Sequence, residues 1–173
     1  MKSIGMIACM LLMAQLSLAG GSDWENSSKF KKLRDFNRRA QYPVGLNAQA
    51  FGPIGGLALT ADWFMTPKLA LEAGAGFRDL DLNHGFSLGI RYHFFGKTLL
   101  NMTPYVGVYT AFHYNGSDLQ NNSIYIPVGL HRIKKNGFCW SVEAAWQRNT
   151  FFDNGITGAV RLGYRFKTSR NKK

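Results

Sequence analysis

The stretch Gly155–Phe166, GITGAVRLGYRF, separates at every second residue into two lists. Val160, Leu162, Tyr164 and Phe166 fall on one; Thr157, Ala159, Arg161, Gly163 and Arg165 fall on the other. Successive side chains of a β-strand point to opposite faces, so the segment reads as a strand with one apolar, aromatic face and one face of small residues and two arginines. Which face meets the protein interior decides the fold.

The same period recurs from Pro43 onward and predicts strands at about 43–51, 56–63, 68–77, 86–94, 104–113, 124–132, 138–147 and 156–166. They are separated by GPIGG, FMTPK, RDLDLNHG, FGKTLLNM, YNGSDLQNN, IKKNG and RNTFFDNG, connectors rich in the Gly, Asn, Asp and Pro that turns require. Sorted by parity, one list collects bulky apolar residues such as Val44, Leu46, Leu57, Leu59, Phe86, Leu88, Ile90, Val106, Val108, Ile124, Ile126 and Val142. The other collects Asn47, Gln49, Thr60, Asp62, Glu72, Ser87, Arg91, His93, Tyr105, Tyr109, His113, Tyr125, His131, Ser141, Glu143, Gln147, Arg161 and Arg165, with roughly one glycine per strand.

An eight-stranded sheet closes into a barrel with an interior just wide enough for side chains to fill. The bulky list cannot fit there, whereas the polar list can, because its glycines and alanines leave room for a few long chains. A soluble carrier barrel for apolar ligands would be apolar within and rich in Lys and Glu outside; here the strand bodies hold almost no Lys. The apolar face therefore points outward, which only lipid tolerates over a whole barrel. The expected fold is all-β, an eight-stranded antiparallel up-and-down transmembrane β-barrel. Aromatics near strand ends (Trp63, Phe64, Phe94, Phe95, Tyr105, Phe112, Tyr114, Phe138, Trp140, Trp146, Tyr164 and Phe166) suit the girdles of two bilayer interfaces.

With 173 residues the chain accommodates one domain of this kind. Its first residues, MKSIGMIACMLLMAQLSLAGGS, pair one Lys with an apolar run and a small-x-small site at Ser17-Leu18-Ala19, so residues 1–19 read as a secretory signal peptide. The run is shorter than the roughly 20 residues of a spanning helix. Removal of that segment leaves Cys139 as the lone cysteine, so no disulfide is expected. The formal net charge of +11 sits mainly in a basic segment at 20–42, in Lys134-Lys135 and in the tail 167–173, and an exported chain seldom meets nucleic acid.

Charges inside a barrel need partners. If Gly76 faces Ser87, Glu72 falls opposite Arg91; if Gln147 faces Thr157, Glu143 falls opposite Arg161. Asp62, Glu72, Arg91, Glu143, Arg161 and Arg165 are thus the expected interior charge network. The expected outward girdle is Trp63, Phe94, Tyr114, Phe138, Trp140, Trp146, Tyr164 and Phe166.

Over 43–166 this pattern resembles the small eight-stranded outer-membrane barrels, the superfamily of the OmpA transmembrane domain and OmpX. Tyr164-Arg165-Phe166 looks like the aromatic-x-aromatic terminal strand of that family, although KTSRNKK follows it here. The resemblance implies the outer membrane of a Gram-negative bacterium and both termini in the periplasm. It further implies contacts with lipid and lipopolysaccharide, insertion by the barrel-assembly machinery, and a monomer. GPIGG, RDLDLNHG, YNGSDLQNN and RNTFFDNG would then face outward.

Three classes of chemistry have candidate residues in this pattern. His93, His113 and His131 share the polar parity, but His113 belongs on the order of 20 Å from the other two, so the three are not expected to hold one metal ion. A lipid A-modifying activity, as in some barrels of this size, needs a Ser within reach of a base; His113 and Ser117 come nearest, one inward and one in a loop. A narrow pore would require an open lumen, which paired charges fill. The chain is expected to have no enzymatic activity and no cofactor. The basic segment could form a short helix with Phe30 and Leu33 on one side, lying on anionic headgroups, or could be a solvated leader.

Overall fold

The computed structural model describes residues 38–78, 83–94, 102–116, 118–149 and 155–168. The expected signal peptide, most of the basic segment, the end of the tail and parts of four connectors lie outside them. Strands β1 (Val44–Phe51), β2 (Leu57–Phe64), β3 (Leu69–Phe77), β4 (His84–His93), β5 (Thr103–Asn115), β6 (Asp118–Ile133), β7 (Phe138–Asn149) and β8 (Gly155–Phe166) follow a short helix α1 (Arg38–Gln41). Each strand pairs antiparallel with the next and β8 pairs with β1, which closes the barrel and leaves no edge strand. An even strand number places the start of β1 and the end of β8 at the same end, called here the terminal end.

The alternation read from the sequence is the alternation observed. Leu59, Leu88, Val108 and Ile156 stand outward and exposed, while Asn47, Thr60, Asp62, Glu72, Arg91, Tyr109, Tyr125 and Arg161 are buried within. The aliphatic face is thus the outer one. Among the described residues no helix is long and apolar enough to cross a membrane.

Both predicted registers are displaced by two residues. Gly74, not Gly76, faces Ser87, so Arg91 stands opposite Ala70 and Glu72 opposite Gly89. Likewise Ala145, not Gln147, faces Thr157, so Arg161 stands opposite Ser141 and Glu143 opposite Ala159. The physical reason is room: each long charged chain lies across a small residue on the neighbouring strand and reaches its partner diagonally, along the stagger that barrel closure imposes. A shift of two preserves parity, so the inner and outer faces are unaffected.

Most strand ends lie within two residues of expectation, and two boundaries differ by more. Residues Asp118–Asn122, expected in a loop, belong to β6, because the in-out alternation continues through buried Asn121 and Ser123. A register shift between His113 and Tyr114 absorbs the extra length, and Gly116 turns the chain at φ +59°. The barrel unit also begins at Arg38 rather than Pro43. Arg38 Nη1 donates to Ile133 O (2.5 Å), Tyr42 Oη donates to Lys135 O (2.6 Å), and the Thr168 amide donates to Gln41 O. Residues 38–42 are therefore bonded to the terminal end and are not a solvated leader.

Candidate functional site

The six charged residues proposed for the interior form one continuous chain of ion pairs in the order Arg165, Asp62, Arg91, Glu72, Arg161, Glu143. Arg165 Nη1 pairs with Asp62 Oδ2, Arg91 Nη2 lies 3.2 Å from that oxygen and 2.7 Å from Glu72 Oε2, and Arg161 lies 3.3 Å from Glu72 Oε1 and 2.5 Å from Glu143 Oε2. Three guanidinium groups and three carboxylates alternate, so the chain is neutral overall. Asp62 and Glu72 are directly opposed across β2 and β3, two like charges side by side, and Arg91 bridges them. The link from Arg161 to Glu72 joins β8 to β3, strands that are not neighbours, and so crosses the lumen.

Removing charges from water is costly unless pairing and further hydrogen bonds compensate. Tyr105 and Tyr125 both donate to Glu143, the latter at 2.8 Å, and Arg161 Nε donates to Gln49 Oε1 at 3.2 Å. Asn47 Nδ2 donates to Asp62 Oδ1 at 2.9 Å. Arg165 donates from Nε to Tyr42 O (2.8 Å) and from Nη2 to Pro43 O (2.7 Å), and its guanidinium lies 4.3 Å from the Phe64 ring centroid. Glycines make the filling possible: a Cβ at Gly89 would run into the Tyr109 ring, and one at Gly129 would meet the Tyr105 ring and Glu143.

Each end is covered. At the terminal end α1 and Tyr42 lie against the β6–β7 turn, above Phe64, Ala70, Ile133 and Cys139. Arg39 is buried there, and desolvation together with nearby Arg165 lowers its pKa to about 10, so it remains charged at neutral pH. His93 Nε2 and His131 Nδ1 stand 3.2 Å apart beside the Phe64 ring. At the far end the β1–β2 connector folds inward and Ile54 is 1% exposed. That connector runs through positive φ at Phe51, Gly52 and Gly55. His113 Nε2 lies 3.3 Å from Ser123 Oγ beneath it, and Ser117, the serine nearest to it in the sequence reading, lies outside the described residues. No described group of three His, Cys, Asp or Glu is arranged to hold a metal ion.

The eight girdle residues divide unevenly. Trp63, Phe94, Phe138, Trp140, Tyr164 and Phe166 lie at the terminal end, whereas Tyr114 and Trp146 lie toward the far end. The far rim is completed by Phe51, Phe77, Phe86 and Phe112. Phe64, grouped with the interface aromatics by its position along the strand, points inward instead, and Tyr105 follows its polar parity inward: both occupy the parity of the charges, and their rings pack against arginine guanidiniums. An apolar groove of about 810 Å³ runs outside the barrel over Ala48, Ala61, Ala73 and Ala75, separate from the charged interior.

Neither a protein-family model nor a curated protein matches the chain. Among solved structures, the crystal structure of the N-terminal β-barrel domain of Pseudomonas aeruginosa OprF is similar, with a TM-score of 0.55 and 19% identity. The alignment covers 73% of this chain and 98% of that domain, and the likeness is one of fold.

Proposed function

We propose that this chain is an integral outer-membrane barrel with a plugged interior and no enzymatic activity, acting through its presence in the membrane and the contacts of its rims. The observation that carries this reading is the inverted distribution of side chains. Buried arginines and carboxylates fill the bore, while Leu59 and Ile156 stand 73% and 75% exposed. Water penalises such a surface, and a hydrocarbon layer does not. The likeness to the OprF barrel domain supports the same reading.

A closed lumen is favoured by the ion-pair chain across the bore, by Ile54 at one mouth and by α1 at the other. A non-catalytic role is favoured by the setting of the Ser–His pair: His113 and Ser123 face the interior, away from lipid, and His113 Nδ1 has no hydrogen-bond partner to orient the ring as a base.

The test is gel mobility before and after boiling, with circular dichroism, on protein folded in detergent, followed by conductance across a planar bilayer. A heat-dependent mobility shift, a strand-dominated spectrum and a silent bilayer are expected. A chain soluble without detergent would refute the membrane reading, and steady conductance would refute the plug.

A further inference from the structure

We infer that the terminal-end rim between β6 and β8 is a binding surface for the phosphate headgroup of an anionic phospholipid. The inference rests on the membrane reading above. Arg132 has the outward parity of β6 and is paired with outward Trp140 on β7. An outward arginine is costly at the bilayer midplane and nearly free at its edge, so Arg132 marks the level where hydrocarbon gives way to headgroups. The turn that follows adds exposed Lys134 and Lys135, with the Lys134 ammonium 5.1 Å from the centroid of the Phe138 ring. Phe138 faces Tyr164 on β8, and exposed Lys167 follows Phe166.

One contiguous patch therefore combines a guanidinium fork, ammonium groups and aromatic rings at interfacial depth. A guanidinium binds phosphate through two parallel N–H bonds, while ammoniums supply unspecific attraction. No acid among the described residues neutralises the patch. Among the described residues, the acids are Asp62, Glu72 and Glu143, consumed inside the barrel, and Asp118 at the far end. Arg38 and Arg39 add further positive charge at the same end. The chemistry fits a lipid with a net negative phosphodiester better than a zwitterionic one, whose own ammonium would face this surface.

The experiment is native mass spectrometry of the full chain, folded in detergent and offered equimolar phosphatidylglycerol and phosphatidylcholine. The wild type should retain phosphatidylglycerol preferentially. Each cation near an anionic lipid surface contributes roughly five-fold, so R132Q/K134Q/K135Q should lose on the order of a hundred-fold in that preference. R132K should lose part of it, because charge remains and the fork does not. Equal retention of the two lipids, an unchanged preference in the triple variant, or complete competition by inorganic phosphate would overturn the assignment. The heat-dependent mobility shift is read on every variant. A shift without lipid preference sinks this inference alone, whereas absence of the shift in the wild type sinks the membrane reading beneath it.

Discussion

Replacing Arg91 by Met tests whether the interior charges act as one unit. Arg91 is the group that holds two directly opposed carboxylates, 3.2 Å from Asp62 and 2.7 Å from Glu72. Without it three acids share two arginines, and the Asp62–Glu72 pair becomes a buried like-charge contact. Breaking a buried ion pair from one side costs about 3–5 kcal/mol, since the partner stays desolvated. Arg165 still reaches Asp62 and Arg161 still reaches Glu72, which argues for the lower half of that range. A second change, Glu72→Gln, restores neutrality and removes the like-charge contact, so R91M/E72Q should be more stable than R91M. The assay is urea unfolding of barrel reconstituted in phospholipid vesicles, followed by tryptophan emission and unheated gel mobility. A cost below about 1 kcal/mol for R91M, or a double variant no better than the single one, would refute the argument that these charges form a coupled chain.

Three further outcomes follow from other parts of the barrel. Gly89→Val puts a branched side chain into the Tyr109 ring; it should cost about 1–3 kcal/mol by the same unfolding assay, with Tyr109→Ala in the same chain relieving part of the loss. Tyr42→Phe removes the 2.6 Å bond to Lys135 O; a loss of about 1 kcal/mol should raise the rate of tryptic cleavage at Arg38 and Arg39 about five-fold, measured on folded protein. Leu88→Lys, at the middle of β4 and 59% exposed, should destabilise the vesicle-bound barrel by about 2–4 kcal/mol. Tyr92→Lys, near the terminal end of the same strand, should cost about 1 kcal/mol or less; equal costs at the two sites would contradict a lipid-facing β4.

The strand order and the sidedness of the barrel were legible because parity is a local property: each strand reveals it without knowledge of its neighbours. Register is not local. The acid and arginine of each hairpin were matched head-on in the sequence, whereas in the barrel they meet diagonally across Gly89, Ala70, Ala159 and Ser141. Nothing within one hairpin encodes that stagger, since the closure of the whole sheet sets it. The same reason hid the contact from Arg161 to Glu72, which joins strands far apart in the chain. Phe64 sits near a strand end, where interface aromatics gather, yet its parity beside outward Trp63 turns it inward. The inward fold of the β1–β2 connector was hidden too: GPIGG announces a turn, and only the tertiary structure shows Ile54 entering the mouth. Asn121 and Ser123 extend β6 through a polar stretch that composition alone assigns to a loop.

The ion-pair chain has a consequence for the order in which the barrel can be completed. Two of its three arginines, Arg161 and Arg165, arrive with β8, whereas the three acids belong to β2, β3 and β7. An intermediate holding β1 to β7 would therefore carry three carboxylates around a single guanidinium, and its half-built bore would favour remaining hydrated. Docking of the final strand supplies both missing cations at once, together with the backbone seam to β1. Closure and charge neutralisation are then the same event, which makes the last strand the step at which water leaves and the wall becomes self-consistent.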